Sequence, residues 1–587
     1  MPCVDTLHVR CPWQIEVIVP RTIELVGDNE ADVEARRVVV VASGELVEQV
    51  AHPSDPDLVV WHFVQPALTS AQHVAWAVGP FHSVELATTP RMRAHCLPGG
   101  EREAELEHSA AGILRKAALV YSEDVGTFPF PSYDVVFVDD SAAAAIGATD
   151  ALVHAGAAIS ILSGNAVLHP PSAPIELALE CRQILAVAVA QQYWGIAVIP
   201  KAWADTWLIN GLALRMASLV MQRILGHNEH RYRLWRDVQR CCERDVRMPP
   251  ICQPGIPSPP DPDVVDLINL KAPLVLHILD RKLVKLGSSK TSLARVVAEL
   301  WISVVADRLP NNQLSTNVFF RTMRKMTGAS ANDFRVFTEQ WVFGSGCPRL
   351  RISSVFKPKR MVIEVTIAQE SPAFVAAQSA ASWDEVAHLR PVQHFEGQMI
   401  MRVHEADGTP YEHVLEVRGA EKKLEVPFNT KYKRVRRNTR RYQDRKQAEL
   451  AAAAGDVDAR EDVGLIDHSF EYAPWEDETE RKRWLVADWT DEAAETMKAL
   501  TYEWIRVDAD FEWIAEINFV QEDFLWISQL QSERDVVAQL EAVRALAGMP
   551  SAVVASQLAK TVLQRNYFYQ VRAAAARALA RVRGVAR

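Results

Sequence analysis

The hydrophobic period of this chain changes three times along its length, and each change demands a different kind of layer. Trp13–Pro20 (WQIEVIVP) alternates polar and apolar residues, and Val38–Val41 is a β-branched run. Leu58–Phe63 and His73–Val78 alternate again before Gly79-Pro80. A period of two presents one apolar face, so the first stretch, to about residue 90, reads as β structure. Helical spacing takes over at Leu106–Tyr121, with one strand after it at Asp134–Val138. From Ile175 to Pro348 the pattern is mostly helical. Ile175–Tyr193 follows Ser172-Ala173-Pro174, Trp207–Leu225 comes next, and further helices are expected at Val264–Val284 and Ser292–Arg308. The proline-rich 254–263 (PGIPSPPDPD) between them reads as a surface linker or polyproline spacer, with recognition as the alternative.

After Arg349 the period returns to two. RISSVF, MVIEVTI, MIMRVHEAD, HVLEVRG and KLEVPF are short strands at regular spacing, the signature of a β-sandwich. A basic run at 431–446 (KYKRVRRNTRRYQDRK), an Ala/Asp/Glu-rich stretch and an acidic segment interrupt it. From Glu533 onward, two amphipathic helices separated by Pro550 resemble the first units of a helical solenoid. The expected fold class is multidomain α+β.

At 587 residues and 49% apolar composition the chain has material for three or four cored domains, which excludes collagen and wholesale disorder. The balance of 64 Lys+Arg against 74 Asp+Glu gives −10, so basic character must be local if nucleic acid is bound. The opening residues show no basic and apolar leader, and the most apolar stretch, Ile184–Pro200, is broken by Gln191 and Gln192, so no membrane span is expected. The eight cysteines form no CxxC pair and read as reduced thiols, as in cytosol or nucleus. His227 and His230 in GHNEH could hold a metal only with a third ligand; a solvated helix start is the simpler reading. There is no phosphate loop and no nucleophile elbow.

The helix ending in QQYWG (191–195) is followed by WLING (207–211). This order resembles the gluzincin aminopeptidases, whose zinc site reads HExxHQWFGN and then WLNEG. Their two histidines lie one turn apart on one helix face, the Glu between them is the general base, and the Glu of the next helix completes the ligand set. Carried over by position, the first histidine is Val187, the base is Ala188, the second histidine is Gln191 and the third ligand is Asn210. Valine and alanine carry no lone pair to donate, and neutral amides are poor zinc ligands. No HExxH occurs, and none of the 17 histidines has another four residues away. The family's amine-binding GxMEN glutamate has no counterpart, because Val125–Ile175 contains no Glu; Asp150 is the nearest substitute. Its transition-state tyrosine, in a YxKGA segment, falls on Asn269 of NLKAP (269–273). The resemblance therefore implies a pseudoenzyme with no catalytic residue, no metal, no cofactor and no small-molecule substrate.

Three further segments resemble the TFIID subunit 2 family of TBP-associated factors, which is built on that scaffold. They are WHFVQPALTSAQHVAWAVGPF (61–81), FTEQWVFGSGCPRL (337–350), and YEWIRVDADFEWI (502–514) running on through DFLWISQLQSERDVVAQ (523–539). The likeness implies a partial N-terminal β domain over 1–95, an inactive peptidase-like α/β domain over 96–348, mostly helical and thermolysin-like, and a β-sandwich over 349–530 with a charged insertion near 430–500. The start of a HEAT/ARM-like solenoid is expected over 531–587. The family begins before Met1 and continues past Arg587, so the chain is expected to be a piece of a longer protein. The implied role is non-catalytic: a nuclear TFIID subunit that assembles with TBP and other TBP-associated factors and contributes to core-promoter DNA binding around the initiator and to preinitiation complex assembly. An adaptor outside transcription and an active zinc aminopeptidase are the alternatives.

One local feature fits DNA. Nine of the sixteen residues 431–446 are Lys or Arg, with Tyr432 and Tyr442 interleaved and Asp444 the only acid. Lys431, Lys433, Arg434, Arg436, Arg437, Arg440 and Arg441 are the candidate phosphate-contacting residues. A nuclear-localisation signal and a solvated loop, or contact with an acidic partner, remain equal readings. Trp484, Trp489, Trp504, Trp513 and Trp526 are expected to pack the joint between the last β segment and the solenoid, with a partner anchor as the alternative.

Overall fold

The computed structural model describes the chain apart from residues 1–2, 5, 27–32, 146–152, 287–291, 380–386, 406–409, 430–501, 550 and 582–587. It divides into two compact units, residues 1–230 with 249–344, and residues 231–248 with 345–587.

In the first unit, strands β1 (Arg10–Pro20), β2 (Glu45–His52) and β3 (Asp55–Ser70) form an antiparallel sheet in the order β1-β3-β2. The period of two in β3 puts Val59, Trp61 and Phe63 on one buried face, where Val19, Val38, Val40 and Ala42 join them. A second sheet follows, built from β4 (His82–Thr88), β5 (Arg91–Cys96), β6 (Ser132–Val138), β7 (His154–Gly156) and β8 (Ile159–Ser163) in the order β7-β8-β6-β5-β4. Every residue of β6 is buried and both of its neighbours run parallel to it, as in a sheet covered on both faces. Asp134, inside β6, is tolerated because Arg93 on β5 holds it with two hydrogen bonds, at 2.8 and 2.9 Å, and His95 adds a third at 3.2 Å. Burial raises its pKa, but His95 and Arg93 outweigh that and hold the carboxyl below its ordinary value. This sheet crosses the boundary expected at residue 95, since it takes β4 and β5 from the region assigned to the first domain.

Helices dominate the rest of this unit: α1 (Gly112–Asp124), α2 (Ile175–Tyr193), α3 (Thr206–Leu225), α4 (His227–Arg244), α5 (Pro262–Leu286), α6 (Leu293–Val305), α7 (Thr316–Thr327) and α8 (Ala331–Trp341). The division between the units falls within α4, after His230. α2 has the bounds that its periodicity predicts. α3 is the central helix, packed on both α2 and α5. Its approach to α5 depends on Gly211, where an added Cβ would lie 3.0 Å from the Ala272 methyl. The stretch Trp203–Leu225 is long and apolar enough to cross a membrane by length and composition, and 56% of its most apolar 18-residue window is buried inside the protein. The proline-rich 254–263 runs directly into α5, with Pro262 as its first residue, a position where a missing N–H costs nothing.

Among the described residues of the second unit, seven strands make two sheets. They are β9 (Arg349–Lys357), β10 (Val362–Glu370), β11 (Gly397–Glu405), β12 (Pro410–Val417), β13 (Glu421–Pro427), β14 (Tyr502–Val507) and β15 (Glu516–Val520), in the orders β13-β10-β9-β15 and β12-β11-β14. Alternation in β10 buries Ile363, Val365 and Ile367, and Met399, Met401 and Val403 of β11 are buried likewise. Four helices follow: α9 (Asp523–Ser532), α10 (Val536–Leu546), α11 (Ala552–Leu563) and α12 (Tyr569–Arg581). The helical region thus opens at Asp523, ahead of the expected 531. Trp504, Trp513 and Trp526 are all buried: Trp504 stacks on His404, Trp513 donates its indole N–H to the Gln398 carbonyl, and Trp526 meets Phe519 edge-on. Packing is their role; Trp484 and Trp489 lie outside the described residues.

His73 offers a test of the N-terminal packing. Its Nδ1 lies 3.0 Å from the Ser70 hydroxyl, and its carbonyl accepts from the Ala157 N–H. Burial, with smaller contributions from Arg10 and His154, lowers its pKa to about 4. The folded state therefore keeps the ring neutral while the unfolded chain protonates near the ordinary value. The stability this contributes is present above about pH 6.5 and is lost as pH falls toward 4. Melting temperatures measured from pH 7 to pH 5 should fall less steeply for His73→Gln than for the parent.

Candidate functional site

The four positions of the degenerate zinc motif lie on α2 and α3. Val187 and Gln191 are one helical turn apart and share a face of α2, both half-buried. Ala188 is fully buried among Leu185, Ala186 and Val189. Asn210 sits in the first turns of α3, and its amide donates a 2.8 Å hydrogen bond to Oδ1 of Asn269 on α5. The fold thus brings together two positions that sequence places 59 residues apart, those matched by motif to the third zinc ligand and to the transition-state tyrosine. Gln191 Oε1 is buried and accepts no hydrogen bond among the described residues.

The chemistry available here is limited by residue type. Val187 and Ala188 present only carbon, while Gln191 and Asn210 present neutral amides that do not titrate and bind hard or borderline cations weakly. Asn269 is occupied by Asn210 and has no acidic proton. A cleft of about 310 Å³, lined by Asp124, Leu219, Gln222, Arg223, Ala294, Arg295 and Ala298, lies on other residues of the same unit and includes none of these positions.

Other sequence candidates separate in the fold. His227 Nδ1 lies 3.4 Å from the Gln222 amide and His230 Nδ1 lies 3.4 Å from the Ser218 hydroxyl, so each meets its own residue of α3 and the two do not converge on one point. Asp150 and all of 431–446, with Lys431, Lys433, Arg434, Arg436, Arg437, Arg440 and Arg441, lie outside the described residues.

The residue that sequence reasoning missed is Gln192, beside Gln191 and fully buried. Its amide nitrogen donates to the carbonyls of Gly156 (3.1 Å) and Ile159 (3.4 Å) and to the Ser160 hydroxyl (3.3 Å). Its oxygen accepts from the Ala158 N–H at 3.1 Å. Ala158 has φ 62°, so this one side chain satisfies the tight turn between β7 and β8. Two adjacent glutamines directly after the apolar run 184–190 were the signal that could have found it.

Comparison with known proteins places this geometry. A solved structure of aminopeptidase A from Legionella pneumophila in complex with aspartic acid superposes with a TM-score of 0.59 at 12% identity, covering 93% of this chain and 51% of that one. The scaffold is aminopeptidase-like. The model of the TAF2 Ig-like domain matches residues 345–522, and that of TAF2-like TPR repeats matches 523–585. Proteins named transcription initiation factor TFIID subunit 2 align along almost the whole chain. The one from Schizosaccharomyces pombe is 33% identical over 99% of it, that from Saccharomyces cerevisiae 28% over 94%, and that from Drosophila melanogaster 26% over 99%. The chain is a homologue of TFIID subunit 2. It spans about half the length of these curated relatives, 53%, 42% and 43% in turn. The family model describes the C-terminal helices as TPR repeats, stacked helix pairs like the HEAT/ARM kind expected.

Replacing Gln192 with leucine keeps the volume but leaves the Ala158 N–H and the Gly156 carbonyl without their partner. We expect Gln192→Leu to cost roughly 2–6 kcal/mol, the sum of two unsatisfied buried groups, measured by denaturant unfolding of the chain.

Proposed function

We propose that this chain acts in the nucleus as a non-catalytic subunit of TFIID, an aminopeptidase-like platform that assembles with TBP and other TBP-associated factors at core promoters. The observation that carries this reading is the alignment to relatives named TFIID subunit 2 over 99% of the chain at 33% identity. In this reading Val187, Ala188, Gln191 and Asn210 stand where the zinc ligands and base of an aminopeptidase would, and Asn269 stands in place of its tyrosine. Without a carboxylate to take a proton or a phenol to donate one, neither general-base attack nor oxyanion stabilisation has a residue to perform it. The protein acts by binding. Preinitiation complex assembly then depends on its outer faces, and promoter contact around the initiator falls to basic segments.

Affinity purification of the tagged protein from its native host tests the proposal. TBP and other TBP-associated factors in the eluate are the expected result, and their absence would remove the transcription reading. Hydrolysis of aminoacyl reporter substrates above the buffer rate would revive the peptidase alternative.

The run from Lys431 to Arg441 is the proposed phosphate-contacting segment, because seven of its eleven residues are Lys or Arg in a chain of net charge −10. Changing Lys431, Lys433, Arg434, Arg436, Arg437, Arg440 and Arg441 to alanine should weaken promoter binding equally across sequences. The salt dependence should flatten by about 0.9 in log–log slope for each phosphate that is no longer neutralised. Relaxed preference at a single base pair would instead mean that bases are read directly.

A further inference from the structure

The second unit contains a group of metal-ligating side chains that the aminopeptidase scaffold does not explain. Cys241, Asp245 and Cys347 are all buried, and their ligand atoms lie within 4.8 Å of one another. The Sγ atoms of Cys241 and Cys347 are 4.0 Å apart, and Cys347 Sγ lies 3.8 Å from Asp245 Oδ2. Zinc bound tetrahedrally at about 2.3 Å to sulfur and about 2.0–2.2 Å to oxygen separates two sulfurs by roughly 3.8 Å, and sulfur from oxygen by roughly 3.5 Å. The observed edges are therefore close to those of one face of such a tetrahedron.

Both sides of the group are fixed by backbone. Cys241 and Asp245 are four residues apart where α4 ends, and the Asp245 N–H still donates to the Cys241 carbonyl at 2.9 Å, so the two side chains share one helix face. Cys347 comes from the turn Gly344-Ser345-Gly346-Cys347-Pro348. Gly346 adopts φ +92°, and a Cβ there would fall 2.7 Å from the Ala373 methyl, so only glycine fits. Ser345 pins the same turn through a 2.5 Å bond to the Leu389 carbonyl. Cys242, next on α4, is only half-buried, while the three group members are buried.

The electrostatics favour a cation. Asp245 is 2% exposed, and it lies at a helix C-terminus, where the macrodipole is negative. A divalent ion there would be attracted by both the buried carboxylate and the negative end of the helix. Two thiols with one carboxylate select a borderline-soft ion such as zinc over magnesium or calcium. We infer that Cys241, Asp245 and Cys347 form a structural zinc-type site, with water as fourth ligand, that clamps the end of α4 to the turn leading into β9. Binding would release the two thiol protons, each thiolate donating an electron pair to the ion without any change of oxidation state.

The test is metal content of the full chain, purified under reducing conditions without chelator and equilibrated with Zn²⁺ alone. One zinc per chain by native mass spectrometry is expected, and Co²⁺ in its place should give thiolate-to-cobalt charge-transfer absorption. Cys347→Ala and Asp245→Asn should each weaken Zn²⁺ binding tenfold or more, whereas Cys181→Ala, a buried thiol outside the group, should leave it unchanged. If the ligand variants fail to fold, the cobalt spectrum of the parent decides alone. A parent chain that retains no zinc and shows no charge-transfer band overturns the site. So does a parent chain two hydrogens lighter, with Cys241 and Cys347 joined as a disulfide.

Discussion

Arg506 is 4% exposed, and a guanidinium at that depth must find its counter-charges inside the protein. Asp535 supplies one at 2.9 Å and Glu541 another at 3.6 Å. Burial alone would lower the arginine's pKa, but Glu541, Asp535 and Glu533 outweigh it and hold the pKa above its ordinary value. Asp535 also caps α10 through the Val537 N–H and takes two hydrogen bonds from Arg231 of α4, at 2.7 and 2.6 Å. Arg231 in turn lies over the Phe511 ring at 5.2 Å. One carboxylate therefore ties together strand β14, the second-unit end of α4 and the first helices of the repeat region. The TAF2 Ig-like and TPR-like segments are joined by a charge network that neither could satisfy alone.

The first unit also buries one such ion pair, Asp134 with Arg93, but around α2 and α3 it meets the same desolvation constraint with neutral amides. Gln192 distributes its amide over four partners around the β7–β8 turn, and Asn210 bonds Asn269 across the α3–α5 contact. A carboxylate at position 210 would meet the Asn269 amide oxygen that now accepts from Asn210, so it would lose that hydrogen bond and bear a desolvation cost. Amides remove that cost and keep α3 and α5 in register. The proposed loss of catalysis and the stability of the helical core are thus two consequences of the same residue types.

Much of the fold was legible because apolar period is a local property. Five of the sandwich strands, β9 to β13, α2 with both its ends, and α3 to within one residue follow from it directly, while β14 and β15 do not. Region boundaries were harder. β4 and β5 carry the same alternation as β1 and β3, so nothing local says which sheet they enter; the pairing of β5 with β6 decides it. α9 falls inside the region assigned to the sandwich, 349–530, and its packing on α10 and on β14 is a tertiary fact that local period does not carry. Of the candidate site, residue identities at 187, 188, 191 and 210 could be matched by motif, while the Asn210–Asn269 contact could not.

Sequence by itself determined the order of layers, the family and the absence of titratable groups at the matched motif positions, because each depends on residue types at short, fixed spacings. Tertiary structure alone decided which polar groups meet. Cys241 and Cys347 stand 106 residues apart with no CxxC spacing between them, and Arg231 meets Asp535 across 304 residues. Such contacts arise where a strained turn or a helix end is held by the surrounding core. Their energy comes from excluding water over distances that no local pattern of residues encodes.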